Sequence, residues 1–236
     1  MLDIKISDAG TTLGYTDHAG NKSVKGIDLS DLIKVLSANV GFDMGFLPIG
    51  TRYLGTRGEQ THIVIERPAS TYKIKFDARN SLPAYEIEDV KLPPALIFFC
   101  LSKANDAYFV SDSRIFAMAQ NHIMLGIDGL YKYPTPNIYS DARICWGQND
   151  DGNKNFKSLA ALNGIVQRFF TAPFNDDLFG TTMVQTSFPW AGSTGGAMGY
   201  FKQLVNQPFD NKWLVPATNE FKNFETAVKT IFKTGV

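Results

Sequence analysis

The chain has 236 residues, 44% of them hydrophobic and 13% aromatic. That is enough to bury a sizeable core, and too aromatic for a disordered chain. Twenty-three basic residues balance twenty-three acidic ones, which leaves no electrostatic footprint for duplex nucleic acid or an anionic membrane surface. No run approaches the ~18 apolar residues of a membrane span, and MLDIKISDAG lacks the basic flank and apolar core of a secretory signal. Two cysteines, Cys100 and Cys145, are too few for a disulfide framework. The expectation is a cytoplasmic protein with reduced thiols.

In chain order, residues 2–27 read as a small N-terminal β-unit. LDIKI alternates, Asp17–Gly20 with Asn21 offers turn chemistry, and KSVKGI returns as a strand. Residues 28–236 read as the main domain, with a helical C-terminal extension. DLSDLIKVLSAN predicts a short amphipathic helix over 28–39, with Leu29, Leu32, Ile33, Val35 and Leu36 on its apolar side. From Phe46 the signal turns to β. TRYLG, THIVIE and TYKIKFD are strands punctuated by Gly and Pro, and Tyr72, Ile74 and Phe76 mark one face. Residues 78–91 read as a polar connection.

ALIFFCL is too continuously apolar for anything but a buried central strand, which makes Cys100 a core residue. DAYFVS and RIFAM are two further strands. Beyond 149–155, a polar spacer, Ser158 can cap a helix through LAALNGIVQRFF. Residues 180–199 look like loop, GYFKQLVNQ a helix, KWLVP an extended segment and FKNFETAVKTIFK a C-terminal helix. The class is α+β: an antiparallel β-meander flanked by helices, with an N-terminal β extension.

Between meander and second helix lies LYKYPTPNIYSDARICWGQN. Pro134 and Pro136 fix their own φ and bias Tyr133 and Thr135 toward extended conformations. The segment is thus an ordered loop that presents Asn137 and, eight residues on, Cys145, Trp146 and Gly147. Acyl transfer through a thioester needs an accessible thiolate. It also needs a donor at the developing oxyanion, and a carboxamide such as that of Asn137 qualifies. Asn137 can equally pin the loop backbone. For Cys145, the alternative reading is a buried structural thiol.

The run Pro136-Asn137-Ile138, five residues, Ile144-Cys145 resembles the active-site segment of ubiquitin-conjugating enzymes. There a His-Pro-Asn tripeptide precedes the catalytic Cys by the same step. Thr135 stands where that His would be, and Trp146 where Leu is usual. A closer likeness is to the prokaryotic ubiquitin-conjugating-like family D, the bacterial branch typified by PRTRC system protein B. LYKYPTPNIYSDARICWG, LPPALIFF, FFTAPF, GGAMGYFKQL and KWLVP, spread over residues 46–220, carry that likeness in order.

The resemblance implies a ubiquitin-conjugating-like fold and an acyl transferase working through a Cys145 thioester. Cys145 would accept a ubiquitin-like protein from an adenylating, ThiF-like activating enzyme and pass it to an acceptor. A JAB-type peptidase would be a further partner. Asn137 would steady the oxyanion or the loop, and Thr135, Pro136, Tyr139 and Trp146 would shape the site. The family's His braces the loop by hydrogen bonds, a task the Thr135 hydroxyl could take over in part. No metal or organic cofactor is implied, since ATP is consumed by the activating partner. Thr135 also motivates two rivals: a catalytically silent binding scaffold of the same fold, and a phage or plasmid structural component.

Other signals are weaker. Asp141, Asp150 and Asp151 flank the loop as candidate bases or as solvated turn residues. His18, His62 and His122 lack metal-ligand spacing. GSTGGAMG lacks the GK[ST] ending of a phosphate cradle. Arg52 and Arg57 suggest exposed charge on a hairpin.

Overall fold

The computed structural model describes residues 2–7, 10–16, 20–27, 46–77, 84–147, 155–180, 183–185, 187–189 and 196–233. The helix expected over 28–39 lies outside them, as do His18, Asp150 and Asp151. The chain divides into two units, Met1–Met44 and Gly45–Val236.

In the first unit, β1 (Leu2–Ser7), β2 (Gly10–Thr16) and β3 (Lys22–Ile27) form an antiparallel sheet in sequence order. The strand β2 is one more than the sequence reading expects. Its GTTLGYT holds two glycines, which dilute a β signal that only pairing on both sides restores.

The second unit is built on a five-stranded antiparallel sheet. Its strands are β4 (Thr51–Arg57), β5 (Gln60–Arg67), β8 (Ala95–Ala104), β9 (Ala107–Met118) and β10 (Leu130–Lys132), in the order β10-β9-β8-β5-β4. Central position explains composition: β5 and β8 are buried on both faces along HIVI and ALIFFCL. DAYFVS and RIFAM are not two strands but one, β9. A register shift opposite Cys100 and Leu101 absorbs the break in its alternation.

β6 (Ser70–Phe76) does not join the meander. It pairs with β7 (Tyr85–Leu92) in a separate two-stranded sheet, so much of the expected polar connection at 78–91 is a strand. Its charges hide the pattern. Glu86 and Glu88 meet Lys73 across the hairpin at 2.5 and 3.0 Å, while Ile87, Val90 and Leu92 are buried.

Among the described residues three helices pack on this frame: α1 (Leu162–Thr171), α2 (Gly196–Gln203) and α3 (Phe224–Phe232). Ser158 does cap, but it caps a 3-10 turn, Leu159–Ala161, that leads into α1. α2 starts before GYFKQLVNQ and ends at Gln203. KWLVP opens in a 3-10 turn, Asn211–Trp213, after which Leu214 bridges Val184 and Pro216 bridges Tyr131.

α3 begins with a capping box between Asn223 and Thr226. It closes one face of the sheet: Ala227, Ile231 and Phe232 join Val64, Leu96, Phe98, Phe116, Met118 and Leu130 in one buried cluster. The ring of Phe232 lies parallel to that of His62, 4.5 Å away, and 5.7 Å from Phe98. The opposite face, with Ile63, Ile65, Ile97, Phe99 and Leu101, is equally dry.

Arg52 is not merely a surface charge. Its guanidinium donates to the carboxylate of Glu66, a nearly buried residue that also accepts from the Ile123 N–H and lies 2.6 Å from His122. Arg57 donates to the Lys233 carbonyl just past α3. Among the described residues no group of three or more His, Cys, Asp or Glu is placed to hold a metal. No helix among them is long and apolar enough to cross a membrane.

Candidate functional site

β9 runs past β10, and its free stretch at Ser113–Ile115 is the foundation of the site. β10 pairs with Phe116–Met118. The chain then leaves the sheet through Tyr133, Pro134, Thr135 and Pro136, all buried. It comes back to the same edge three residues further along. There the Ile144 N–H donates to the Ser113 carbonyl (2.9 Å) and the Ile115 N–H to the Ala142 carbonyl (3.0 Å).

The returning segment is a small hairpin rather than an irregular loop. Ile138 bridges Ile144; the Cys145 N–H donates to the Asn137 carbonyl at 2.7 Å and the Tyr139 N–H to the Arg143 carbonyl at 2.9 Å. Alternation then sorts the side chains. Ile138 and Ile144 are buried; Asn137, Tyr139, Arg143 and Cys145 share the other, wetter face. Cys145 is half-buried while Cys100 is buried. Burial pushes the Cys100 thiol up to about 11, so Cys100 is a structural thiol.

Asn137 is left-handed, at φ +62°, a conformation that Asn tolerates better than most residues. Its carboxamide donates to the Pro173 carbonyl at 3.3 Å, tying the hairpin to the segment that follows α1. Trp146 is anchored twice: its indole N–H donates to the Ser113 hydroxyl at 3.0 Å, and its ring meets Phe169 of α1 edge-on. Thr135 is fully buried, and its hydroxyl has no hydrogen-bond partner among the described residues. Its backbone, not its side chain, holds the turn, through an N–H bond to the Tyr133 carbonyl.

Tyr139 goes beyond shaping the loop. Its hydroxyl donates to Cys145 Sγ at 3.4 Å, and that hydrogen bond raises the phenol above its ordinary range. The Arg143 guanidinium lies 5.4 Å over its ring and pairs with Asp141 at 2.7 Å. Burial alone would raise the Asp141 carboxyl, but the Arg143 N–H and guanidinium outweigh it and hold it low. Asp141 is therefore committed to Arg143 instead of standing by as a base. Arg114 of β9 donates to the Asp141 carbonyl and secures the turn to the sheet. Tyr139 and Asp141 help line a cavity of about 370 Å³ together with Phe116, Tyr133 and Phe221.

Sequence reasoning placed Cys145, Asn137, Thr135, Pro136, Tyr139 and Trp146 in one segment, and the fold sets them on one hairpin and the turn that leads into it. It missed Ser113, Arg143 and Pro173. Only Arg143 left a readable trace, as the residue facing Tyr139 once Ile138 and Ile144 are taken as the buried pair.

The searches of curated proteins and of solved structures found no match. The family model described as Prokaryotic E2 family D matches residues 29–217, from before the five-stranded sheet to the segment ahead of α3. The chain belongs to prokaryotic E2 family D, and its α+β fold is that of a ubiquitin-conjugating-like protein.

Proposed function

We propose that the chain is an acyl carrier of the PRTRC type that takes the C-terminal carboxyl of a ubiquitin-like protein onto Cys145 as a thioester. The donor is an adenylating activating enzyme, and the acyl group passes on to an amine or another acceptor. The observation that carries this reading is the half-buried Cys145 thiol, held on a hairpin hydrogen-bonded to a rigid sheet edge in a chain of an E2 family. A nucleophile needs both exposure and fixed geometry, and rigid elements supply the second. In loading, the thiolate attacks the donor's thioester carbonyl, the new C–S bond forms and the donor thiolate leaves. In discharge, an acceptor amine attacks the same carbon, loses a proton to solvent, and Cys145 leaves as thiolate. The chain itself needs no metal or organic cofactor for these steps, ATP being used by the activating partner.

The test mixes the protein with its activating enzyme, the ubiquitin-like partner and ATP. A reductant-sensitive adduct that becomes a stable oxyester in Cys145→Ser is the expected result; no adduct in either would sink the carrier role. The buried, unpartnered hydroxyl of Thr135, where a conjugating enzyme keeps His, favours a second reading: a silent scaffold that binds the same partners. On that reading Cys145→Ala leaves partner binding and cellular activity unchanged.

A further inference from the structure

Acyl transfer through Cys145 needs a hydrogen-bond donor beside the sulfur, because negative charge develops on the thioester carbonyl oxygen at both loading and discharge. The carboxamide of Asn137 already donates to the Pro173 carbonyl. The side chain whose donor touches the sulfur is Tyr139, with its hydroxyl 3.4 Å from Cys145 Sγ. Once an acyl group is attached, its carbonyl carbon is one bond from that sulfur and its oxygen one bond further. Rotation about the bonds at Sγ can bring that oxygen within hydrogen-bond reach of a hydroxyl at this distance, and rotation about the phenol C–O bond aims its proton.

The phenol is held for this task. Arg143 lies over its ring, and Asp141, through an ion pair, fixes Arg143. The Tyr139 N–H is bonded to the Arg143 carbonyl and the Ala142 N–H to the Tyr139 carbonyl, at 2.9 Å each. A donor held this way needs little more than a turn of its O–H when charge appears. We propose that Tyr139 is a catalytic residue that stabilises the oxyanion of the Cys145 tetrahedral intermediate, with Arg143 as its positioning residue. The inference rests on the acyl-carrier reading. In the discharge step the amine nitrogen bonds to the carbonyl carbon, the oxyanion forms against the Tyr139 O–H and then collapses. Cys145 departs as thiolate, and the nitrogen's proton goes to solvent.

A peptide thioester ending in Gly-Gly, with mercaptoethanesulfonate as leaving thiol, probes this without the natural partners. Intact mass follows loading of the full chain, and added L-lysine follows discharge. Tyr139→Phe keeps the ring and its contact with Arg143 but removes the donor. It should slow discharge by about 10²-fold with melting temperature unchanged. Tyr139→His, which restores an N–H donor, should recover discharge to within about tenfold of wild type. Equal discharge by wild type and Tyr139→Phe overturns the inference and leaves the carrier reading standing. A Tyr139→His as slow as Tyr139→Phe also overturns it, since a hydrogen-bond donor at this position would then not be what discharge needs. A wild type that takes no acyl group at Cys145 overturns the carrier reading itself.

Discussion

Thr135 is the residue at which this chain departs most plainly from a conjugating enzyme, and its surroundings explain what the departure does. Fully buried between two prolines, it has a hydroxyl without a partner among the described residues. A buried hydroxyl left unmade costs about 1–3 kcal/mol. Thr135→Val replaces that hydroxyl with a methyl of similar shape. It should stabilise the chain by about 1 kcal/mol, read as a rise in melting temperature of about 2–4 °C. A loss of the same size would mean that the hydroxyl braces the loop after all. The hairpin does not depend on it, because Cys145 is placed by backbone bonds to Asn137 and, through Ile144, to Ser113.

At the scale of elements, the C-terminal helix α3 decides whether the sheet that carries the site is closed. Its start is secured by Asn223, whose side chain accepts the Thr226 N–H at 2.9 Å. Its end is secured by Phe232, packed against Tyr53, His62 and Phe98. Removing the cap in Asn223→Ala should cost about 1 kcal/mol. Phe232→Ala removes a large buried ring and should cost about 3–5 kcal/mol. Denaturant midpoints measure both, and equal losses would show that the helix is held by its cap and not by the sheet. The helix and sheet were legible from periodicity and from the apolar run of β8. The β7 strand was not, because its Glu86 and Glu88 find their lysine partner, Lys73, only across the β6–β7 hairpin and the local sequence reads as polar.

The molecule as a whole should lose stability to acid in two stages. Burial, followed by the Arg57 charge, lowers the His62 imidazole below its ordinary 6.5. The unfolded chain therefore takes up this proton first. Its contribution is fully present above pH 6.5 and is lost as pH falls toward the folded value. Burial pushes the Glu66 carboxyl up, but hydrogen bonds from Arg52, His122 and the Ile123 N–H outweigh it and leave it below 4.5. Its contribution holds above pH 4.5 and is lost as pH falls through the lowered value. Melting temperature should thus drop gently below pH 6.5 and again below 4.5. His62→Phe, which can keep the stack on Phe232, should erase the first drop and leave the second. A first drop that survives His62→Phe would assign it to another group.

The α+β class, the buried status of Cys100, the central strand and the segment that carries Cys145 can all be read from the amino-acid sequence. Each of these rests on local pattern: continuous hydrophobicity, proline stiffness, or a fixed step from Asn137 to Cys145. Tertiary structure alone decided that the segment is a hairpin laid on the free edge of β9. It alone decided that Asn137 pins that hairpin to the Pro173 carbonyl, and that the hydroxyl at the sulfur belongs to Tyr139. Those outcomes depend on which elements meet. Pro173 follows a helix and Ser113 sits on a strand, 36 residues after and 24 before Asn137. No periodicity within the segment encodes such partners, because they are chosen by the packing of α1 and β9 around it.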